Sequence, residues 1–154
     1  MQLSKNVSLE EFCHSDTAKR NGIDNTIKDA VHLASAKLLC EKVFQKVREH
    51  FTVPIHISSG YRSLALNRAI KGASSSQHCR GEAMDLDSDR YGKITNKQIF
   101  DYIKDNLEFD QLIWEFGTDS NPDWVHVSYS YSSKNRKQVL KAIKGKKGTI
   151  YQNV

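Results

Sequence analysis

The sequence predicts an α+β fold, a small antiparallel sheet with helices packed on one face. Three observations carry this. Two long stretches place apolar residues at helical spacing, several short segments alternate apolar and polar residues, and the connections in the second half are short. A chain of 154 residues can bury one sizeable core. One domain over residues 1–154 is expected, with its core at about 8–130 and a basic tail at about 133–154.

The elements follow in order. Ser8-Leu9-Glu10-Glu11 has the form of a capping box and starts a short helix. Asp16 to Thr26 is polar, contains Gly22 and reads as loop. From Ile27 to about His50, Val31, Ala34, Leu38, Leu39, Val43 and Val47 recur at three- and four-residue intervals and predict the longest helix. Val53 to Ser58 alternates, so Val53, Ile55 and Ile57 share one face of a strand and His56 and Ser58 the other. Ser59 to Ser63 turns the chain, and Leu64 to Ile70 forms a short helix that stops at Lys71-Gly72. Ala83, Asp85 and Asp87 alternate with Met84 and Leu86, which aims Asp85 at a cleft. Thr95 and Gln98 cap an amphipathic helix to about residue 107. Asp110 to Phe116 and Trp124 to Tyr129 complete the strands, with His126 and Ser128 opposing Val125 and Val127.

Composition narrows the class. The chain is 38% hydrophobic and 27% charged, with a mean hydropathy of -0.60, which suits a folded globular protein. No apolar run approaches the roughly 20 residues a membrane helix needs. The start, Met1 to Glu11, lacks the apolar centre of a secretory signal, so synthesis in the cytoplasm is expected. Cys13, Cys40 and Cys79 are odd in number and lack C-x-x-C spacing, so reduced thiols are expected. The net charge is +5. Much of it lies in Lys134, Arg136, Lys137, Lys141, Lys144, Lys146 and Lys147, a composition open to nucleic acid, anionic lipid or anionic cell-wall polymer. A recognisable nucleic-acid motif is missing, and a monomer is expected.

Chemistry concentrates in Ser76-Gln77-His78-Cys79-Arg80-Gly81-Glu82-Ala83-Met84-Asp85 and in Asp123-Trp124-Val125-His126. Two imidazoles and a carboxylate match what a catalytic zinc takes from a protein while leaving one position open. Alternation puts Asp85 and His126 on the wet side of neighbouring strands, with His78 entering from the loop before them. Cys79 points away from its neighbour His78, and Glu82 has the opposite parity to Asp85, so neither joins the set. His56 reads as an exposed imidazole. Glu115 shares a strand face with Gln111 and is a candidate base or a partner to a ligand histidine.

These motifs carry a resemblance. Ser59-Gly60-Tyr61-Arg62-Ser63, Ser76-Gln77-His78 through Gly81 and Ala83 to Asp85, Asp110-Gln111-Leu112-Ile113, and Trp124-Val125-His126-Val127-Ser128 resemble the zinc D-alanyl-D-alanine carboxypeptidases and their phage endolysin relatives. The similarity runs from about residue 53 to 130, and Glu11-Phe12 with Ser15-Asp16-Thr17-Ala18 resembles the cell-wall peptidase branch. It implies a fold shared with the Hedgehog signalling domain, with one zinc ion in an open groove held by His78, Asp85 and His126. Asp123 matches the position of the general base, and Arg62 an arginine that contacts a substrate carbonyl or carboxylate. Ser76 either hydrogen-bonds substrate or caps its loop. The implied activity is hydrolysis of an amide bond in a peptidoglycan stem peptide, by a protein that reaches the wall after release from the cytoplasm. The alternative is a non-catalytic wall- or protein-binding module on the same fold with a structural metal.

Overall fold

In the computed structural model, which describes residues 1–154, pairing begins at the N-terminus. Strands β1 (Gln2–Ser4) and β2 (Val7–Ser8) form a small antiparallel hairpin that places Leu3 and Val7 in the core. The core therefore starts earlier than residue 8. Helix α1 (Leu9–Cys13) follows, with the Ser8 hydroxyl accepting from the Glu11 amide at 3.1 Å as the capping box requires. The segment expected as loop holds α2 (Asp16–Arg20), capped by Ser15.

The long helix starts at α3 (Ala30–Leu39), capped by Asp29, passes through a π turn at Cys40–Phe44 and ends as α4 (Gln45–Phe51). A π turn adds a residue and rotates the faces on either side of it. The buried set on α3 is Ser35, Ala36 and Leu39, one position on from Ala34 and Leu38, and Val31 is exposed. Strand β3 (Ile57–Ser59) is shorter than expected, and α5 (Leu64–Ala69) follows it. A 3₁₀ turn at Gln77–Arg80 leads to β4 (Ala83–Leu86). Helix α6 (Asn96–Asn106) carries the full Thr95–Gln98 capping box, and β5 (Gln111–Glu115) and β6 (Trp124–Ser128) form as expected.

Residues expected as a basic tail form two further strands, β7 (Gln138–Gly145) and β8 (Gly148–Asn153). Their ordering has an apolar cause, because Leu140 and Ala142 are buried against Ile113. The large sheet has the order β3-β4-β6-β5-β7-β8. It is mixed, since β7 runs parallel to β5 while every other neighbouring pair is antiparallel. This corrects the purely antiparallel expectation. The strand after β6 must return along β5, and residues 129–137 supply the crossover.

Alternation sorts the sheet into two faces. Met84, Leu86, Leu112, Trp114, Val125 and Val127 join the long helix and α6 in one apolar cluster, where burying each large side chain contributes about 1.5–3 kcal/mol. Asp85, Ile113, Glu115 and His126 take the opposite face. No helix is long and apolar enough to cross a membrane.

The crossover is pinned by Asp110, which is buried at the entry to β5. It accepts from Arg136 Nε at 2.8 Å and Nη2 at 2.7 Å, and from Gln77 Nε2 at 3.0 Å. Arg136 holds the Asp110 carboxyl below its ordinary range, so the pair stabilises the fold fully above the unfolded carboxylate pKa of about 4. That contribution is lost as pH falls through the lowered folded value. Because Arg136 is half-exposed, Asp110→Ala is expected to cost only about 1–2 kcal/mol at pH 7. Urea melts at several pH values should show a gap between wild type and variant that is constant from about pH 5 to 8 and shrinks below about pH 4.

Candidate metal centre

Two glycines set the first ligand. Gly60 packs so closely on α1 that a Cβ there would lie 2.2 Å from the Phe12 carbonyl oxygen. Its own carbonyl oxygen accepts from His78 Nδ1 at 2.7 Å. Gly81 ends the 3₁₀ turn at a φ of +71°, which reverses the chain from His78 into β4. With Nδ1 donating to Gly60, the free Nε2 lone pair of the neutral ring faces inward.

The sheet supplies the other two. Asp85 on β4 and His126 on β6 are directly paired across the strands, so their side chains leave the same face side by side. Asp85 Oδ1 lies 2.9 Å from His126 Nδ1 and 3.3 Å from His78 Nε2, and the two ring nitrogens are 3.2 Å apart. These distances fit a metal. Ligands about 2.0–2.1 Å from a tetrahedral zinc stand about 3.3 Å from one another. No other group of three His, Cys, Asp or Glu side chains comes together in this way.

Protonation favours the same use. Burial drives His78 toward its neutral form against the pull of Asp85. Burial also opposes ionisation of Asp85, but the charges and hydrogen bonds of the two imidazoles outweigh it and hold the carboxyl well below its usual range. A neutral imidazole and an ionised carboxylate are the forms that bind a cation.

Arg62 occupies the far side of Asp85. Its Nη2 donates to Asp85 Oδ2 at 2.8 Å and its Nε to Ser59 Oγ at 2.9 Å, leaving Oδ1 free to face the imidazoles. Its backbone amide donates to the His78 carbonyl at 3.2 Å. Arg62 thus orients two of the three prospective ligands and also borders a groove of about 680 Å³. Ser76 lines that groove as well, on the loop before the 3₁₀ turn.

The two candidate bases separate. Glu115 lines the groove, is 8% exposed, and is the cross-strand partner of Trp124, so it lies diagonally from His126. Burial raises its pKa to about 7, with His126 and Arg62 pulling down and Asp85 pushing up. Asp123 is exposed and has the parity of Val125. Its amide donates to the Glu115 carbonyl and its carbonyl accepts from Asn96, which turns it away from the groove. Of the residues predicted for the site, His78, Asp85, His126, Arg62 and Ser76 border one groove, and Asp123 does not.

A family comparison matches residues 5–128 to the model described as Peptidase M15. The chain belongs to the M15 peptidase family, the family of zinc D-Ala-D-Ala carboxypeptidase-like enzymes. A search of curated proteins finds no match.

Within this M15 peptidase the excluded residues stay outside the centre. Glu82 pairs with Arg80 at 2.8 Å, His56 lies 3.1 Å from Arg90, and burial pushes the Cys79 thiol up. Groove residues that the sequence reading passed over are Gln138, Leu140, Thr149 and Tyr151. Their signal was the alternation of residues 138–153 around Gly145-Lys146-Lys147-Gly148, overshadowed by the charge count.

Zinc is expected to raise the unfolding midpoint of the metal-stripped protein, by about 2.7 kcal/mol at a hundredfold excess over its dissociation constant. Calorimetry on His126→Ala should show no such rise, and dialysed wild type should retain about one zinc per chain by elemental analysis.

Proposed function

We propose that this chain is a zinc metallopeptidase that hydrolyses an amide bond in peptidoglycan stem peptides, with Glu115 as its general base. The observation that carries the reading is the convergence of His78 Nε2, His126 Nδ1 and Asp85 Oδ1 in one groove with a buried, proton-holding glutamate. Zinc bound there supplies a Lewis acid for the scissile carbonyl and lowers the pKa of water toward about 7.

The protein's own groups handle the proton. As a diagonal neighbour of His126, Glu115 has its Cβ about 7 Å from that of the ligand, room for one water between them. Its carboxylate accepts a proton from the attacking water and returns it to the leaving amine nitrogen, so that peptide and water become an acid and an amine. A pKa near neutrality suits both transfers. Arg62 holds Asp85 in place and presents its remaining guanidinium surface to the groove, where it can meet a carbonyl or carboxylate of the substrate. Ser76 offers a hydroxyl on the same wall.

The basic C-terminal segment contributes less free charge than its sequence suggests. Arg136, Lys137 and Lys141 are paired with Asp110, Glu108 and Asp119. Lys144, Lys146 and Lys147 remain at the β7–β8 turn for an anionic wall polymer.

Glu115→Gln is expected to keep its zinc and lose about 10²–10⁴ in kcat, while Asp123→Asn stays within about threefold of wild type. Mass spectrometry of digested peptidoglycan, with and without a chelator, identifies the bond cut. The reverse ranking of the two variants would move the base to Asp123, cleavage that persists without zinc would overturn the metallopeptidase reading, and absent cleavage by wild type would leave a binding module. A bound cation acts on Glu115 against burial, so the acidic limb of kcat/KM should fall at or below about pH 7 and disappear in Glu115→Gln.

A further inference from the structure

The groove face of the sheet is a lattice whose rows are given by strand register. One row reads Asp85, His126, Ile113, Leu140 across β4, β6, β5 and β7. The next reads Trp124, Glu115, Ala142, Tyr151 across β6, β5, β7 and β8. Directly paired residues leave a sheet on the same side, so Tyr151 stands on the face of Glu115 with only Ala142 between them.

Three features give that position a use. Ala142 is fully buried in an apolar cluster with Ile113 and Leu140, and the latter two line the groove as an apolar floor. Tyr151 and Thr149 border the groove beside this floor, and Tyr151 is 54% exposed. The phenol is also sensitive to the centre. Burial raises its pKa, and the charges of Glu115 and Asp85 raise it further. Leu140, Ala142, Thr149 and Tyr151 lie beyond the residues matched to the family, which end at 128.

We infer that the β7–β8 hairpin is a substrate-binding wall in which Tyr151 holds a peptide over the Ile113–Leu140 floor, selecting a small apolar side chain next to the scissile bond. This rests on the peptidase reading above. The ring packs on the peptide, and the hydroxyl donates to a peptide carbonyl oxygen on the side of the metal centre facing β8. The ligand class is a peptide whose residue beside the cleaved amide is alanine-sized. A larger side chain meets Leu140 and the Tyr151 ring.

The test is calorimetric titration of zinc-loaded, full-length Glu115→Gln protein with a soluble pentapeptide stem ending in D-Ala-D-Ala. Adding Tyr151→Ala should weaken binding about tenfold and adding Tyr151→Phe about threefold, with zinc content and unfolding midpoint unchanged. Ile150→Thr, on the opposite face of the same strand, should leave affinity within about twofold. Replacing the terminal alanines with leucine should weaken the Glu115→Gln parent and make much less difference once Tyr151 is alanine. Equal affinity with and without Tyr151, or no binding by the parent, overturns the inference. Tyr151-dependent binding in a protein whose native Glu115 form releases no product overturns the hydrolase reading alone.

Discussion

The Asp85 carboxylate is the constraint on which the rest of the structure depends. One oxygen faces two imidazole nitrogens and the other is held by Arg62, all in a buried setting. An ionised carboxylate in such a place is costly unless every lone pair has a partner. The partners reach Asp85 on β4 from three separate pieces of chain: the turn after β3, the 3₁₀ turn and β6. Their meeting fixes the register of β4 on β6, since a slip of one residue would send His126 to the apolar face and Val125 or Val127 to the groove. The Gly60 and Gly81 contacts serve the same end, because they set where the His78 ring stands relative to that pair.

Much of this was legible in the sequence because it obeys simple periods. Alternation placed Asp85 and His126 on a common wet face, and the capping boxes at Ser8 and Thr95 marked helix starts that the structure reproduces. What escaped depends on longer-range packing. On the long helix Leu39, Val43 and Val47 are buried as their spacing predicts, whereas the face N-terminal to them falls on Ser35 and Ala36 instead of Val31, Ala34 and Leu38, because the π turn at Cys40–Phe44, which rotates one part of the helix against the other, has no distinctive composition. The β1–β2 hairpin rests on Leu3 and Val7, too few residues to display a period. In the C-terminal segment, lysines between Leu140, Ala142 and Ile150 dominate the composition, and only the buried partner Ile113 makes the alternation count.

The two candidate bases are separated by environment. Asp123 lies three residues before His126, where the family resemblance places the base. In the fold, its backbone is tied to β5 and α6 and its side chain is solvated. Glu115 is set apart by the low-dielectric neighbourhood that the sheet builds around it, which favours the protonated form and brings its pKa into the range where proton transfer in both directions is efficient. Sequence spacing carries no information about desolvation, so this distinction required the three-dimensional arrangement.

Desolvation also explains why β7 and β8 matter to the centre. Without β7, Glu115 would stand on an edge strand with one flank open to water, and Ile113 would lose the cover of Leu140 and Ala142. With β7 and β8 in place the sheet edge on this side moves from β5 to β8, and Glu115 gains Ala142 as an apolar neighbour. An alanine there is small enough to leave the groove open and apolar enough to keep water from solvating the carboxyl from that side. The same strands that widen the sheet thus tune the acidity of a side chain on β5. Side chains on β8 border the groove from a strand that carries none of Asp85, Glu115 and His126, so the wall and the polar centre rest on different strands of one sheet.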